Sequence, residues 1–327
     1  MKSILMIGIW NKYFIVNQCK LIDNYFFRAC ISFISMIMIV SLCSCQIIDT
    51  IQKPFSSQFP TKPQTSCEIR EYQITGQNIL NDAHLASIVY ESDDAIQSFC
   101  KTNEYKDVHI ALTSKYDVKF FTARKKGFQY IVIRGTSNYS NIKSDILAAP
   151  VYDALANIWL HKGFRDASIT VFDHLQHSFP KINPDCKTII IGHSLGGAIA
   201  NILGIYLFQN HFSIDRIITF GQPKITNQSG LSAYSHLTLI RVVGEGDVIA
   251  SVPPKTGVFN YVHGGLKLKI DDDSLLYSRL NDPSNSIDDA PVSQQMDITR
   301  ASRALNHKIS CYIQRLEVHT GKVITVK

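Results

Sequence analysis

The sequence predicts an α/β fold with a mostly parallel central sheet flanked by helices, and three observations carry that expectation. Apolar runs rich in β-branched residues, such as Lys187 to Ile191, are continuous rather than alternating, the pattern of strands covered on both faces. Such runs alternate along the chain with segments of helical spacing, which implies parallel strands joined by crossover helices. The stretch CKTIIIGHSLGGAIANILG, Cys186 to Gly204, passes from strand to helix within a few residues, through a serine flanked by glycines. A chain of 327 residues is long enough to bury one such core.

The chain opens on a segment read as outside that core. Ala29 to Leu42 is an apolar run too short for a comfortable membrane span, with Lys20 and Arg28 upstream. It ends in LCSC, so residues 1–44 read as a signal peptide closing in a lipobox, with Cys45 as the site of lipidation. An anchor left uncut satisfies the same pattern. Both readings export the following residues, attached to a bacterial membrane through this end, with the outer membrane or cell surface favoured by Gln46. Residues 45–66, rich in Ser, Gln, Thr and Pro, read as a flexible tether, and residues 67–327 as the α/β domain.

Within the domain, Asn78 to Glu91 has helical apolar spacing. Val108 to Thr113, Val118 to Arg124 and Tyr130 to Arg134 read as strands, the last two joined by a hairpin turn at Lys125 to Gly127. Asp145 to Trp159 reads as helical or irregular, and Asp166 to Ser178 as a helix. The strand Lys187 to Ile191 leads into the helix Ile199 to Phe208. Arg216 to Phe220 and Leu237 to Val243 are further short strands. Asp271 to Asn306 is polar and acidic and reads as a long surface excursion before the helical segment His307 to Leu316.

Charge and cysteine content narrow the partners. The net charge is +6, but half of it lies in the leader, where Lys2, Lys12, Lys20 and Arg28 face only Asp23. The remainder has no basic block interleaved with aromatics, so no nucleic-acid partner is expected. No paired His/Cys ligand spacing calls for a metal, and no cofactor is expected. Four cysteines, Cys67, Cys100, Cys186 and Cys311, permit two disulfides in three pairings in an exported protein, or remain thiols.

The pentapeptide Gly192-His193-Ser194-Leu195-Gly196 is the G-x-S-x-G pattern of a nucleophile elbow. A sharp strand-to-helix turn exposes the serine Oγ at the carboxyl end of a strand, and the amide of Leu195 faces the same point. A serine that merely caps the helix is the alternative. A nucleophilic serine needs a base within hydrogen-bond reach, a carboxylate to orient that base, and donors for the oxyanion.

Six blocks extend the pattern: IVIRGT (Ile131 to Thr136), HKGF (His161 to Phe164), IGHSLGGA (Ile191 to Ala198), TFGQPKITN (Thr219 to Asn227), RVVGEGDVIASVPP (Arg241 to Pro254) and YVHGG (Tyr261 to Gly265). In this order they resemble the class 3, fungal-type lipases, over residues 75 to 316. The resemblance implies the α/β-hydrolase fold and hydrolysis of lipid or other carboxylic esters. It implies Ser194 as nucleophile, Asp247 rather than neighbouring Glu245 as the acid, and Thr136 beside Leu195 in the oxyanion hole. For the base, both His263 and His307 satisfy the chain order serine, acid, histidine. The resemblance favours His307, in a C-terminal helix with Tyr312 a few residues on. His161 and His193 read as structural, and Arg134 as a polar brace for its loop.

Ser137 to Tyr152 corresponds to that family's lid, but Lys143 stands where an apolar residue is usual and the only large aromatics are Tyr139 and Tyr152. Shorter acyl esters or phospholipids, as in phospholipase A1, then join triglycerides as expected substrates. Acyl transfer at the same serine, or a surface lipoprotein that only binds lipid, are the remaining readings.

Overall fold

The computed structural model describes residues 72–135, 149–177, 182–253, 259–272, 274–278 and 306–326. The signal peptide, Cys45, the tether, Cys67, Thr136 and most of the expected lid lie outside these residues.

The sheet is built around the isoleucine run. Strand β7 (Lys187–His193) lies between β4 (Phe128–Ile133) and β8 (Ile214–Phe220), parallel to both. Successive side chains of a strand point to opposite faces, so a run without alternation needs apolar cover on both. Ile190 packs into one core with helices α3 (Lys162–His177) and α4 (Leu195–Gln209). Ile189 and Ile191 pack into the other, with α1 (Gly76–Ile88), α2 (Asp93–Thr102) and α5 (Ile309–Glu317). Helix α4 has no polar face: every residue from Gly196 to Leu207 is buried.

The eight-stranded order is β13-β12-β10-β8-β7-β4-β3-β2. Parallel pairing extends from β4 through β7, β8 and β10 (Leu239–Gly244) to β12 (Leu266–Ile270). The edges are antiparallel. At one, β2 (Lys106–Leu112) and β3 (Lys119–Lys125) form a meander with β4, of which the β3-β4 hairpin is the expected part; at the other, β13 (Leu275–Ser278) pairs with β12.

Two expectations are corrected. Asp145 to Trp159, read as helical or irregular, contains an antiparallel hairpin of β5 (Pro150–Asp153) and β6 (Ile158–His161). Buried Asp153 accepts from the Ala156 amide at 2.6 Å and from Arg165 and Tyr206, which fixes the turn. The segment after Asp271, read as a surface excursion, begins with β13, whose apolar Leu275-Leu276-Tyr277 run pairs antiparallel with β12; residues 279–305 lie outside the described residues. Of the two alternatives left open for the cysteines, the thiol holds at Cys100 and Cys186. Burial in α2 pushes the Cys100 thiol up to about 11, which leaves it an inert core group.

Two elements near the described termini lock the domain shut. β1 (Tyr72–Thr75) pairs antiparallel with β14 (Val323–Val326), and Gly76 donates to the Lys322 carbonyl at 2.8 Å. Thr75 then caps α1 in a reciprocal box with Asn78.

Candidate active site

The elbow forms because nothing larger than glycine fits beneath it. A Cβ on Gly192 would lie 2.1 Å from the Gly196 carbonyl oxygen, so the end of β7 and the start of α4 touch backbone to backbone. Between them Ser194 has φ 60° and ψ −129°. A non-glycine residue held there costs on the order of 1–3 kcal/mol, a strain that the surrounding structure must impose. Ser194 donates its amide to the Phe220 carbonyl at 2.9 Å, which ties the turn to β8. Its side chain does not cap α4, so the capping alternative is set aside.

Instead, Ser194 Oγ lies 2.8 Å from His307 Nε2, and His307 Nδ1 lies 2.8 Å from Asp247 Oδ2. The carboxylate can only accept, so Nδ1 carries the proton and Nε2 is left bare to accept from the serine hydroxyl. Asp247 follows β10 in a turn closed by its own amide to the Gly244 carbonyl at 3.1 Å. Its Oδ1 accepts from the Ile249 amide at 2.9 Å, and its Oδ2 also accepts from the Tyr312 hydroxyl. Tyr312 and Leu316 anchor α5 in the core and set His307, just ahead of that helix, over the serine. Burial first, and the charge of Asp247 next, hold the Tyr312 phenol well above its ordinary value, so it remains a donor. Ser194, His307 and Asp247 are 1%, 0% and 7% exposed.

Gly221, the first residue after β8, makes room for this row. It has φ +58°, and a Cβ there would come 2.5 Å from Asp247 Oδ2 and 2.9 Å from His307 Nδ1.

The other candidates fall elsewhere. Glu245 is exposed and pairs with Lys269 at 3.2 Å. His263 donates its Nε2–H to the Ala250 carbonyl at 2.5 Å. Burial, and then the charges of Arg241 and Lys224, hold its imidazole well below the ordinary value. His161 stacks on Phe164 with ring centroids 3.9 Å apart. Arg134 braces its strand end through the Asp117 carbonyl at 3.0 Å and carboxylate at 3.3 Å. Leu195 is the first residue of α4, so its amide precedes the intrahelical bonds, which begin with Gly197 and Ala198 donating to the Ser194 carbonyl at 2.9 and 3.3 Å. Thr136 lies outside the described residues; Gly135, just before it, donates its amide to the Tyr90 hydroxyl at 3.1 Å.

Sequence reading gave Tyr90 no role at the site. It sits 103 residues from His193, whose Nδ1 it meets at 2.8 Å, and no local pattern encodes a contact of that span.

Known lipases resemble this chain in sequence and in fold. Residues 130–257 match the family model described as Lipase (class 3). A lipase of Rhizomucor miehei is 31% identical over 186 residues, which are 53% of this chain and 50% of that protein. A secreted mono- and diacylglycerol lipase of Fusarium solani is 30% identical over 139 residues, 41% of each chain. The chain spans half or less of the length of these curated relatives. Among solved structures, a triacylglycerol lipase whose catalytic centre is described as a serine protease triad is 27% identical, with a TM-score of 0.53 over 67% of this chain and 92% of that one. The triacylglyceride lipase of Rhizomucor miehei is 25% identical, with a TM-score of 0.53 over 69% and 96%. With the parallel sheet and its flanking helices, these likenesses establish the α/β-hydrolase fold.

Proposed function

We propose, from the premise that the family match and the fungal relatives support membership of the class 3 lipases, that this chain is a serine hydrolase of carboxylic esters, with lipid esters as its substrate class. One observation carries the proposal: the continuous row Ser194 Oγ, His307 imidazole, Asp247 carboxylate, with both links at 2.8 Å.

In this reading Ser194 attacks the ester carbonyl while His307 Nε2 takes the hydroxyl proton. Asp247 holds the imidazole in the competent tautomer and stabilises its positive form. The amides of Leu195 and Thr136 receive the developing oxyanion. His307 then protonates the departing alcohol, the acyl group stays on Ser194, and a water activated by the same histidine releases it. The strained φ of Ser194 supports this assignment, since it aims Oγ away from the helix it begins.

Chain length decides the substrate within the class. Assayed on p-nitrophenyl esters from acetate to palmitate and on phosphatidylcholine, the intact chain is expected to prefer short to medium acyl groups. Lys143 stands where an apolar residue is usual, and only Tyr139 and Tyr152 are large aromatics in the lid segment, which weakens the case for long chains. A palmitate optimum contradicts that preference, and release of a fatty acid from phosphatidylcholine identifies a phospholipase.

The chain is further proposed to be exported and held at a bacterial membrane through a lipid on Cys45. The apolar run Ala29 to Leu42 followed by LCSC supports this. On cell fractionation, Cys45→Ala is expected to move the protein out of the lipid-modified membrane fraction; unchanged lipid labelling contradicts the anchor.

A further inference from the structure

We infer that Tyr90 and His193 are positioning residues that tie the base, the nucleophile elbow and the oxyanion strand into one hydrogen-bonded relay; the inference rests on the ester hydrolase reading above. Four groups form the relay. The Gly135 amide meets Tyr90 Oη at 3.1 Å, Tyr90 Oη meets His193 Nδ1 at 2.8 Å, and His193 Nε2 meets the His307 carbonyl oxygen at 2.7 Å.

Elementary donor and acceptor rules fix every proton in it. A carbonyl oxygen only accepts, so His193 Nε2 carries a hydrogen and donates to His307. A neutral imidazole has one N–H, so Nδ1 is bare and accepts from the Tyr90 hydroxyl. That hydroxyl, having donated, uses a lone pair to accept from the Gly135 amide. His193 is fully buried, and burial pushes its imidazole down to about 3, with the charge on neighbouring His307 pushing the same way. The ring therefore stays neutral, and the tautomer holds throughout.

The relay reaches what the row Ser194, His307, Asp247 leaves unfixed. His307 precedes α5, whose cap is Lys308, and its carbonyl accepts from His193 Nε2 at 2.7 Å. Asp247 fixes the ring of His307 and His193 fixes its backbone. His193 is also the residue before Ser194, and Gly135 the residue before Thr136, so one relay reaches all three arms of the site. The His193 and His307 rings lie 4.8 Å apart. When His307 becomes an imidazolium, its neighbour is already hydrogen-bonded at both nitrogens and takes up no second positive charge.

The experiment uses the full chain, p-nitrophenyl butyrate, and active sites counted with a fluorophosphonate, so that kcat refers to folded enzyme alone. Tyr90→Phe, which keeps the ring, is expected to lower kcat about tenfold with KM within about twofold. His193→Leu is expected to lose about 100-fold, and His193→Gln to regain about tenfold over leucine because its amide N–H reaches the His307 carbonyl. The Tyr90→Phe/His193→Leu variant is expected to lose less than the product of the single losses, as coupled residues do. Unchanged kcat per counted site with a lowered Tm assigns both residues a purely structural role and overturns the inference. Equal kcat for the glutamine and leucine variants, or multiplicative losses, overturn it as well. An inert wild type overturns the ester hydrolase reading itself, and the relay with it. An active wild type with undiminished Tyr90→Phe and His193→Leu overturns the relay alone.

Discussion

Ser194→Ala is expected to lower kcat on any accepted ester by about 10⁵-fold, with little change in KM for p-nitrophenyl butyrate. The size of the loss follows from the chemistry. Without Oγ there is no acyl-enzyme, and the bare Nε2 of His307 faces a methyl group in a site where Ser194 is 1% exposed. Water has no prepared place from which to attack. Residual rate enhancement comes from substrate binding and oxyanion donors alone. Stability moves the other way or not at all, because alanine removes a buried hydroxyl while the backbone strain at φ 60° remains. A loss of only tenfold, in a protein whose thermal transition is unchanged, contradicts the nucleophile assignment.

The second large effect is at Asp247. Its two oxygens face three donors: the Ile249 amide at Oδ1, and His307 Nδ1–H together with the Tyr312 hydroxyl at Oδ2. A carboxylate satisfies all three. The amide of Asp247→Asn cannot. With its oxygen toward His307, its NH2 opposes the Ile249 N–H in a buried turn. With its NH2 toward His307, the imidazole must present a bare Nδ1, and Nε2 then carries the hydrogen and donates to Ser194 instead of accepting from it. The second orientation relieves the clash with the backbone and lets the Tyr312 oxygen accept, so it wins, and the base is lost. A fall in kcat of about 10⁴-fold, with the fold intact, is the expected reading. Steady-state kinetics on butyrate, with near-ultraviolet dichroism as the control for folding, measures it. A kcat within tenfold of wild type contradicts the orienting role of Asp247.

How much of this was legible in the sequence depends on the range of each signal. The isoleucine run of β7 and the small residues of the elbow are local, and both strand and helix form where the pattern places them. The β2-β3-β4 meander is local too, carried by its turn at Lys125 to Gly127. Helix α2 went unread although its signal is present: Ser92 caps it by accepting from the Ala95 amide at 3.2 Å, with Asp93 and Asp94 in its first turn. The β5-β6 hairpin was masked because its turn is held by Asp153 through Arg165 and Tyr206, partners 12 and 53 residues away. Likewise β13, the short apolar run Leu275-Leu276-Tyr277 inside a polar stretch, becomes a strand by pairing with β12.

The site shows the same division. Gly192 to Gly196 suggests a nucleophile elbow but leaves a helix-capping serine as the alternative. Glycine, serine and the strand ahead of them state the geometry, whereas His307, the proposed base, is 113 residues further on. Chain order left both His263 and His307 open, and only the likeness to a family favoured one. The structure joins His307 to Ser194 and Asp247 and attaches His263 to the Ala250 carbonyl. Asp247 and Glu245, two residues apart, are separated by direction: one turns inward beneath Tyr312, the other outward to Lys269. His193, read as structural, turns out to hold the backbone of His307, a bond no pattern in GHSLGG specifies.

The most direct test of the central claim is reaction of the intact chain with a fluorophosphonate probe, followed by mapping of the adduct by mass spectrometry. An activated serine in this row is expected to yield one phosphonyl adduct, on the peptide containing Ser194, absent in Ser194→Ala and slowed in Asp247→Asn. A folded wild-type chain that takes no label, or takes it at another residue, contradicts the assignment of Ser194, His307 and Asp247 as a working nucleophile, base and orienting acid.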